Sequence, residues 1–178
     1  MTPCVRFTPC VKSTWAPAGQ TPVVPFRNRH HKKVSCLGAI ARAADGLMKV
    51  LTDWYPGSYV RAPEAAAFVQ RLLREFQGPV HLVWDNLSAH KSKLVKEIQE
   101  QNPRLEVHYL PPYAPDLNPA EPLWSMTKYH RMANHCIDDL DQLHAEAKRH
   151  VAAVAAEQKL LEACFKSSGL ALNQSRPQ

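Results

Sequence analysis

The sequence predicts an α/β domain in which a mixed sheet is flanked by helices. Three observations carry this expectation. Two strand-like runs joined by an Asp-Gly turn lie early in the chain. Apolar runs of strand length near 80–85 and 105–110 bracket a helical pattern. The C-terminal part is helical and alanine-rich. At 178 residues, 45% of them apolar, the chain is long enough for one domain with a real core.

Five prolines fall in the first 30 residues (Pro3, Pro9, Pro17, Pro22 and Pro25), which read as edge strands and turns around Trp15 and Gly19-Gln20-Thr21-Pro22. Lys33–Arg42 and Leu47–Thr52 are strand-like, with Ala44-Asp45-Gly46 as the hairpin turn between them. Over residues 63–76, Phe68, Val69, Leu72, Leu73 and Phe76 recur at helical spacing. Pro63 suits the first turn and Gly78-Pro79 ends the helix. Residues 80–85 suit a buried parallel strand. A second helix is expected over 88–101, with Leu94, Val95 and Ile98 inward and Lys91, Lys93 and Lys96 outward, until Asn102-Pro103 stops it. Leu105–Leu110 alternates as a strand. The proline loop Pro111–Pro119 leads into a third helix to about Ala133, and a long fourth helix spans Asp138–Cys164. The division expected is one domain over 1–166 and a frayed tail over 167–178. Strands near 82 and 107, joined through a helix, should run parallel with functional groups at their C-terminal ends.

The net charge of +6 and a pI near 9.2 favour a polyanionic partner. No run of 18 apolar residues predicts a membrane span, and MTPCVRFTPCVK lacks the apolar core of a signal peptide, so a cytoplasmic protein is expected. The five cysteines are odd in number and without Cys-x-x-Cys spacing, which fits reduced structural thiols rather than a zinc or disulfide framework.

Two carboxylates stand out. Asp85 ends the apolar run VHLVWDN, and Glu121 opens a helix in LPPYAPDLNPAEPLW. Carboxylates at element ends suit a divalent metal, and in phosphodiester cleavage two Mg²⁺ ions about 4 Å apart activate the attacking oxygen and stabilise the leaving one. Each residue also fits a plain structural role. Asp85-Asn86 fits a strand-end turn, Asn118-Pro119-Ala120-Glu121 fits a capping box, and His90 fits an exposed helix position. Asp116 fits a loop anchor and Trp124 a core side chain. The lysines fit a solvated face.

Read as whole strings, WDNLSAHKS and LPPYAPDLNPAEPLW resemble the catalytic core of DDE transposases, in the insertion-sequence branch of the mariner superfamily. The 35 residues between Asp85 and Glu121 match the family's spacing, and Thr14–Pro22 resembles its early strand region. The resemblance covers roughly residues 9 to 135. It implies an RNase H-like fold, Mg²⁺ or Mn²⁺ in a two-metal site, and a DNA substrate comprising transposon ends and target. By position, Asp85 matches the second acid of the triad and Glu121 the third, both as metal ligands. Asn86, His90, Asp116 and Asn118 would support them, while Lys91, Lys93 and Lys128 would contact DNA.

The family's first aspartate, counted back from Trp15, falls on Met1, and no Asp or Glu precedes Asp45. The chain is therefore expected to lack the first strand and the first acid. It would correspond to the C-terminal part of a transposase, a degraded copy or one half of a frameshifted pair, inactive alone. It could act as a homo-oligomer or with a full-length transposase. Three other outcomes fit the same residues: a catalytically dead DNA-binding remnant, an RNase H-like nuclease on RNA or hybrids, and a product that folds poorly because a sheet position is left unpaired.

Overall fold

The computed structural model describes residues 4–6, 10–23, 33–137 and 139–169. Its strands are β1 (Cys4–Arg6), β2 (Lys33–Arg42), β3 (Met48–Pro56), β4 (Val80–Trp84) and β5 (Leu105–Tyr109). Its helices are α1 (Ala62–Glu75), α2 (Lys93–Gln101), α3 (Ala120–Ser125), α4 (Leu140–Ala155) and α5 (Gln158–Ser167).

Strands β2 and β3 form a long antiparallel hairpin, registered from Val34 opposite Pro56 to Arg42 opposite Met48. The Asp-Gly turn is as the sequence predicts: Gly46 takes φ 85°, and Asp45 Oδ1 accepts the Leu47 amide at 2.9 Å. Strand β1 is three residues long and pairs antiparallel with Lys33–Ser35 alone. Beyond Ser35, among the described residues, β2 has a strand neighbour only on its β3 side. Strands β4 and β5 form a separate parallel pair. The sheet is mixed as expected but divided into two pieces. Where the sequence led to the expectation of a missing first strand, a short β1 of three residues is present beside the start of β2.

Burial alternates along β2 and β3 because successive side chains point to opposite faces. Leu37 and Leu51 pack with Phe68, Val69 and Leu72 of α1, a cluster that continues through Leu82, Trp84 and Leu105. On the other face, Cys36 and Met48 pack with Leu123, Trp124, Val151, Val154 and Leu161 of α3, α4 and α5. Helices thus cover both faces of β2/β3 but one face of β4/β5. Two arginines tie the layers together. Arg71 on α1 donates to the Asp53 carboxylate and, at 3.0 Å, to the Thr52 carbonyl on β3. Arg104, just before β5, donates to the Leu73, Phe76 and Gly78 carbonyls, satisfying acceptors that the end of α1 leaves open.

Three expected helices are divided. The span 88–101 begins as a 3₁₀ turn over Ser88–Lys91, and extended Ser92 (ψ 156°) separates it from α2, so Leu94 is exposed rather than inward. Residues 119–133 start as α3 but continue as a π-helical turn over Met126–Arg131, where Thr127 Oγ1 bonds the Leu123 carbonyl at 3.0 Å and the Met132 amide reaches the Thr127 carbonyl. The long fourth helix breaks at Glu157 (ψ 89°), which lets α5 fold back under β3. Of the expected tail, Ser167 ends α5 and Ser168 is buried, while residues 170–178 lie outside the described residues. Residues 10–23 hold a turn at Gly19 but no strand, and an exposed Trp15. The described cysteines form no disulfide, and burial pushes the Cys36 and Cys164 thiols up, as inert core groups.

Trp124 packs against β2 at Gly38 through its ring atoms Cζ2 and Cη2. A Cβ at residue 38 would overlap Trp124 Cζ2 and sit 2.7 Å from Cη2. Gly38→Ala should therefore cost about 1–3 kcal/mol by overpacking, read as a lower urea midpoint. Combining it with Trp124→Leu should restore part of that loss relative to the sum of the single variants. A Gly38→Ala chain that unfolds at the wild-type midpoint would contradict this packing.

Candidate active site

Asp85 follows the last residue of β4, where the strand hands over to the 3₁₀ turn. Its Oδ1 accepts the Leu87 amide at 3.0 Å, so the strand-end turn reading is correct. The same oxygen lies 2.8 Å from His90 Nδ1. His90 is 6% exposed, contrary to an exposed helix position, and its ring packs on Trp84 at 3.9 Å. Burial pushes the His90 pKa down to about 4, so the imidazole is neutral near pH 7 and the contact is not an ion pair. The contact is short, but its geometry is not that of a hydrogen bond, and neither ring nitrogen of His90 has a hydrogen-bond partner among the described residues. Tyr109 Oη donates to the His90 carbonyl at 3.1 Å.

Asn86 donates its side-chain amide to the Leu110 carbonyl, and the Leu110 amide donates to the Trp84 carbonyl at 2.8 Å. The loop that carries Glu121 is thereby fastened, at its start, to the segment that carries Asp85. Pro115–Leu117 forms a 3₁₀ turn, with Asp116 exposed on it. Asn118 is extended, and its Oδ1 accepts the Ala120 amide at 3.0 Å, which caps α3. The Asn118 amide itself donates to the Pro115 carbonyl, so the reciprocal half of a capping box is occupied by backbone. Glu121 sits half-buried in the first turn of α3, where the helix dipole favours its charge. Trp124, one turn on, is core, and seats this helix.

Lys91 is exposed, with Nζ 5.1 Å from the Tyr109 ring centre; Lys93 is exposed and pairs with Glu97 at 3.6 Å. Lys128 lies on the π-helical turn, over Tyr129 at 5.5 Å. The structure therefore joins Asp85, Asn86 and His90 in one cluster, and Asn118 and Glu121 in another. Among the described residues Asp85 belongs to no group of three His, Cys, Asp or Glu donor atoms within 4.8 Å of one another. Asp45 stays in its hairpin turn. Two residues escaped the sequence reading. Gly38 was legible as a glycine inside a strand, which often marks a close approach. Tyr113, fully exposed in the proline loop at φ 58°, had no such signal.

Asp85 and Glu121 are half-buried carboxylates on two separately seated elements, the oxygen type of donor that a hard divalent cation takes. His90→Phe keeps the ring on Trp84 and removes two poorly satisfied buried nitrogens. It should leave stability within about 1 kcal/mol of wild type in urea denaturation. A loss above about 2 kcal/mol would mean that the Asp85 contact is a structural bond of the first importance.

The DDE superfamily endonuclease family matches residues 5–144. No curated protein matches the chain. Among solved structures, the Mos1 transposase paired-end complex with left transposon end is similar at TM-score 0.62 and 20% identity, covering 96% of this chain and 54% of that one. The Mos1 strand transfer complex is similar at TM-score 0.59 and 20% identity, covering 94% and 52%. The pre-cleavage Mos1 transpososome gives 0.57 and 18%, covering 94% and 54%. The chain spans about half the length of these proteins, and the likeness establishes the expected RNase H-like fold. By its sequence match over most of its length, the chain belongs to the DDE superfamily endonucleases.

Proposed function

We propose that this chain is catalytic-domain material of an insertion-sequence transposase of the mariner type, built for metal-dependent cutting and joining of DNA. The observation that supports the reading is that Asp85 is held at the end of β4 and Glu121 in the first turn of a helix that Trp124 seats on β2, the two positions that carry the family's strings. Endonucleases of this superfamily use divalent metals. When bound, Mg²⁺ or Mn²⁺ supplies activation of the attacking oxygen and stabilisation of the leaving one in an in-line displacement. Asp85 and Glu121 would hold it. His90, packed on Trp84 with Nδ1 2.8 Å from Asp85, would limit how that carboxylate can swing. Asn86 and Asn118 fix the backbone on which each acid stands. Asp116, exposed beside them, would anchor the loop to its ligand-bound arrangement.

DNA is the substrate that the charge favours, as both transposon ends and target. Lys91 and Lys93 offer phosphate contacts next to Asp85, and Lys128 offers one on the π-helical turn. Tyr113 adds an exposed aromatic face for an unpaired base. No helix of the described residues is long and apolar enough to cross a membrane. Assembly as a homo-oligomer, or with a full-length transposase, belongs to this reading, as does a cytoplasmic location.

A second reading, DNA binding without cleavage, is favoured by the net charge of +6, which serves binding whether or not the chain cuts. Losing one member of a catalytic unit costs orders of magnitude in rate. Alone, the chain should nick supercoiled plasmid with Mn²⁺ weakly or not at all, and any nicking should vanish in Asp85→Ala and Glu121→Ala. Strong nicking that survives both substitutions would contradict the proposed site, and cleavage of RNA or hybrids in preference to DNA would contradict the substrate. DNA binding should weaken with salt, and Lys91→Ala with Lys93→Ala should reduce the slope of log affinity against log salt by about 1–2.

A further inference from the structure

The outward face of the β4/β5 pair carries three metal-ligating side chains that the candidate active site does not use. His81 on β4 stands directly across from Glu106 on β5, and His108 follows two residues later, on the same face. His81 Nδ1 lies 3.0 Å and His108 Nε2 3.5 Å from one oxygen, Glu106 Oε2. The three residues offer donor atoms that all lie within 4.8 Å of one another. The two imidazole rings stack with centres 5.9 Å apart and 22° between their planes.

A tetrahedral zinc ion with bonds of about 2.0–2.1 Å has ligand-to-ligand edges of about 3.3–3.4 Å. The two nitrogen–oxygen edges here bracket that length. The nitrogen–nitrogen edge needs at most a small closing movement, which the three side chains are free to make, being 54–62% exposed. Their backbones are fixed by the strand ladder, so the ligand set is held before any ion arrives. Two imidazole donors also select a transition ion such as Zn²⁺ over Mg²⁺, which prefers oxygen.

A second group of the same residue types makes the contrast. His135, Glu146 and His150 also gather their donors within 4.8 Å. There Arg149 Nη2 lies 2.6 Å from Glu146 Oε2 and 3.0 Å from His150 Nε2, so a guanidinium already fills the centre. Between His81 and His108, the ion-pair partners of Glu106 among the described residues are the histidines themselves.

We infer that His81, Glu106 and His108 form a three-ligand site for one Zn²⁺, with water in the fourth position. The site is separate from Asp85 and Glu121 and fastens β4 to β5. The test is a titration of the intact, metal-stripped chain with Zn²⁺ against a chromophoric chelator, in excess Mg²⁺. One equivalent should bind in the micromolar range or tighter and should raise the Tm. His81→Asn with His108→Asn, and separately Glu106→Gln, should weaken binding at least about tenfold and abolish the Tm rise. His135→Asn with His150→Asn should change neither. Equal zinc affinity in wild type and the His81/His108 variant would overturn the assignment. So would a loss that follows His135 and His150, or no binding below millimolar zinc.

Discussion

The contact between Trp124 and Gly38 is the constraint on which the rest of the site depends. Helix α3 is six residues long and runs straight into a π-helical turn, so its own hydrogen bonds cannot hold it in place. What holds it is an indole packed on a strand at a residue with no side chain, within a cluster built from Cys36, Met48, Val151, Val154 and Leu161. Glu121 lies three residues before that indole, on the same helix. Its position is therefore inherited from core packing, which is stiff because a dense interior cannot yield continuously.

Asp85 is held by a different means. It stands at the rim of the β4/β5 pair, and its surroundings are polar bonds rather than a packed ring. The Leu87 amide, the His90 nitrogen and the Asn86–Leu110 link each restrict one degree of freedom. Burial against Trp84 keeps His90 neutral, so the group beside the acid brings no full positive charge. A cationic neighbour would compete with a metal for Asp85, and a neutral ring does so less. The two acids thus stand on separately built pieces, one at the end of β4 and one on a helix packed against β2, joined through the Leu110 start of the proline loop.

Much of this was legible in the sequence because its signals were local. The Asp-Gly hairpin, the helix over 62–75 and the parallel strands near 82 and 107 each follow from short-range patterning, and the Asp85 and Glu121 strings carried the family. The helix breaks were not legible. Ser92, Thr127 and Glu157 carry no proline or glycine beside them; the breaks at Ser92 and Glu157 accompany the burial of His90 and the folding of α5 under β3, and at Thr127 the side chain back-bonds the Leu123 carbonyl within the helix. The exposure of His90 was misjudged for the same reason, because the 3₁₀ turn rotates it away from the helical face that periodicity assumes. The His81–Glu106–His108 cluster was invisible for another reason, since it exists only once β4 and β5 are paired in register.

The central claim is that Asp85 and Glu121 hold one divalent-metal site between them. The most direct measurement is Mn²⁺ binding to the intact chain by electron paramagnetic resonance, in wild type, Asp85→Ala and Glu121→Ala. The account predicts that each substitution removes the same bound Mn²⁺ signal, since each takes a ligand from a shared site. A bound signal that persists unchanged in both variants would contradict it.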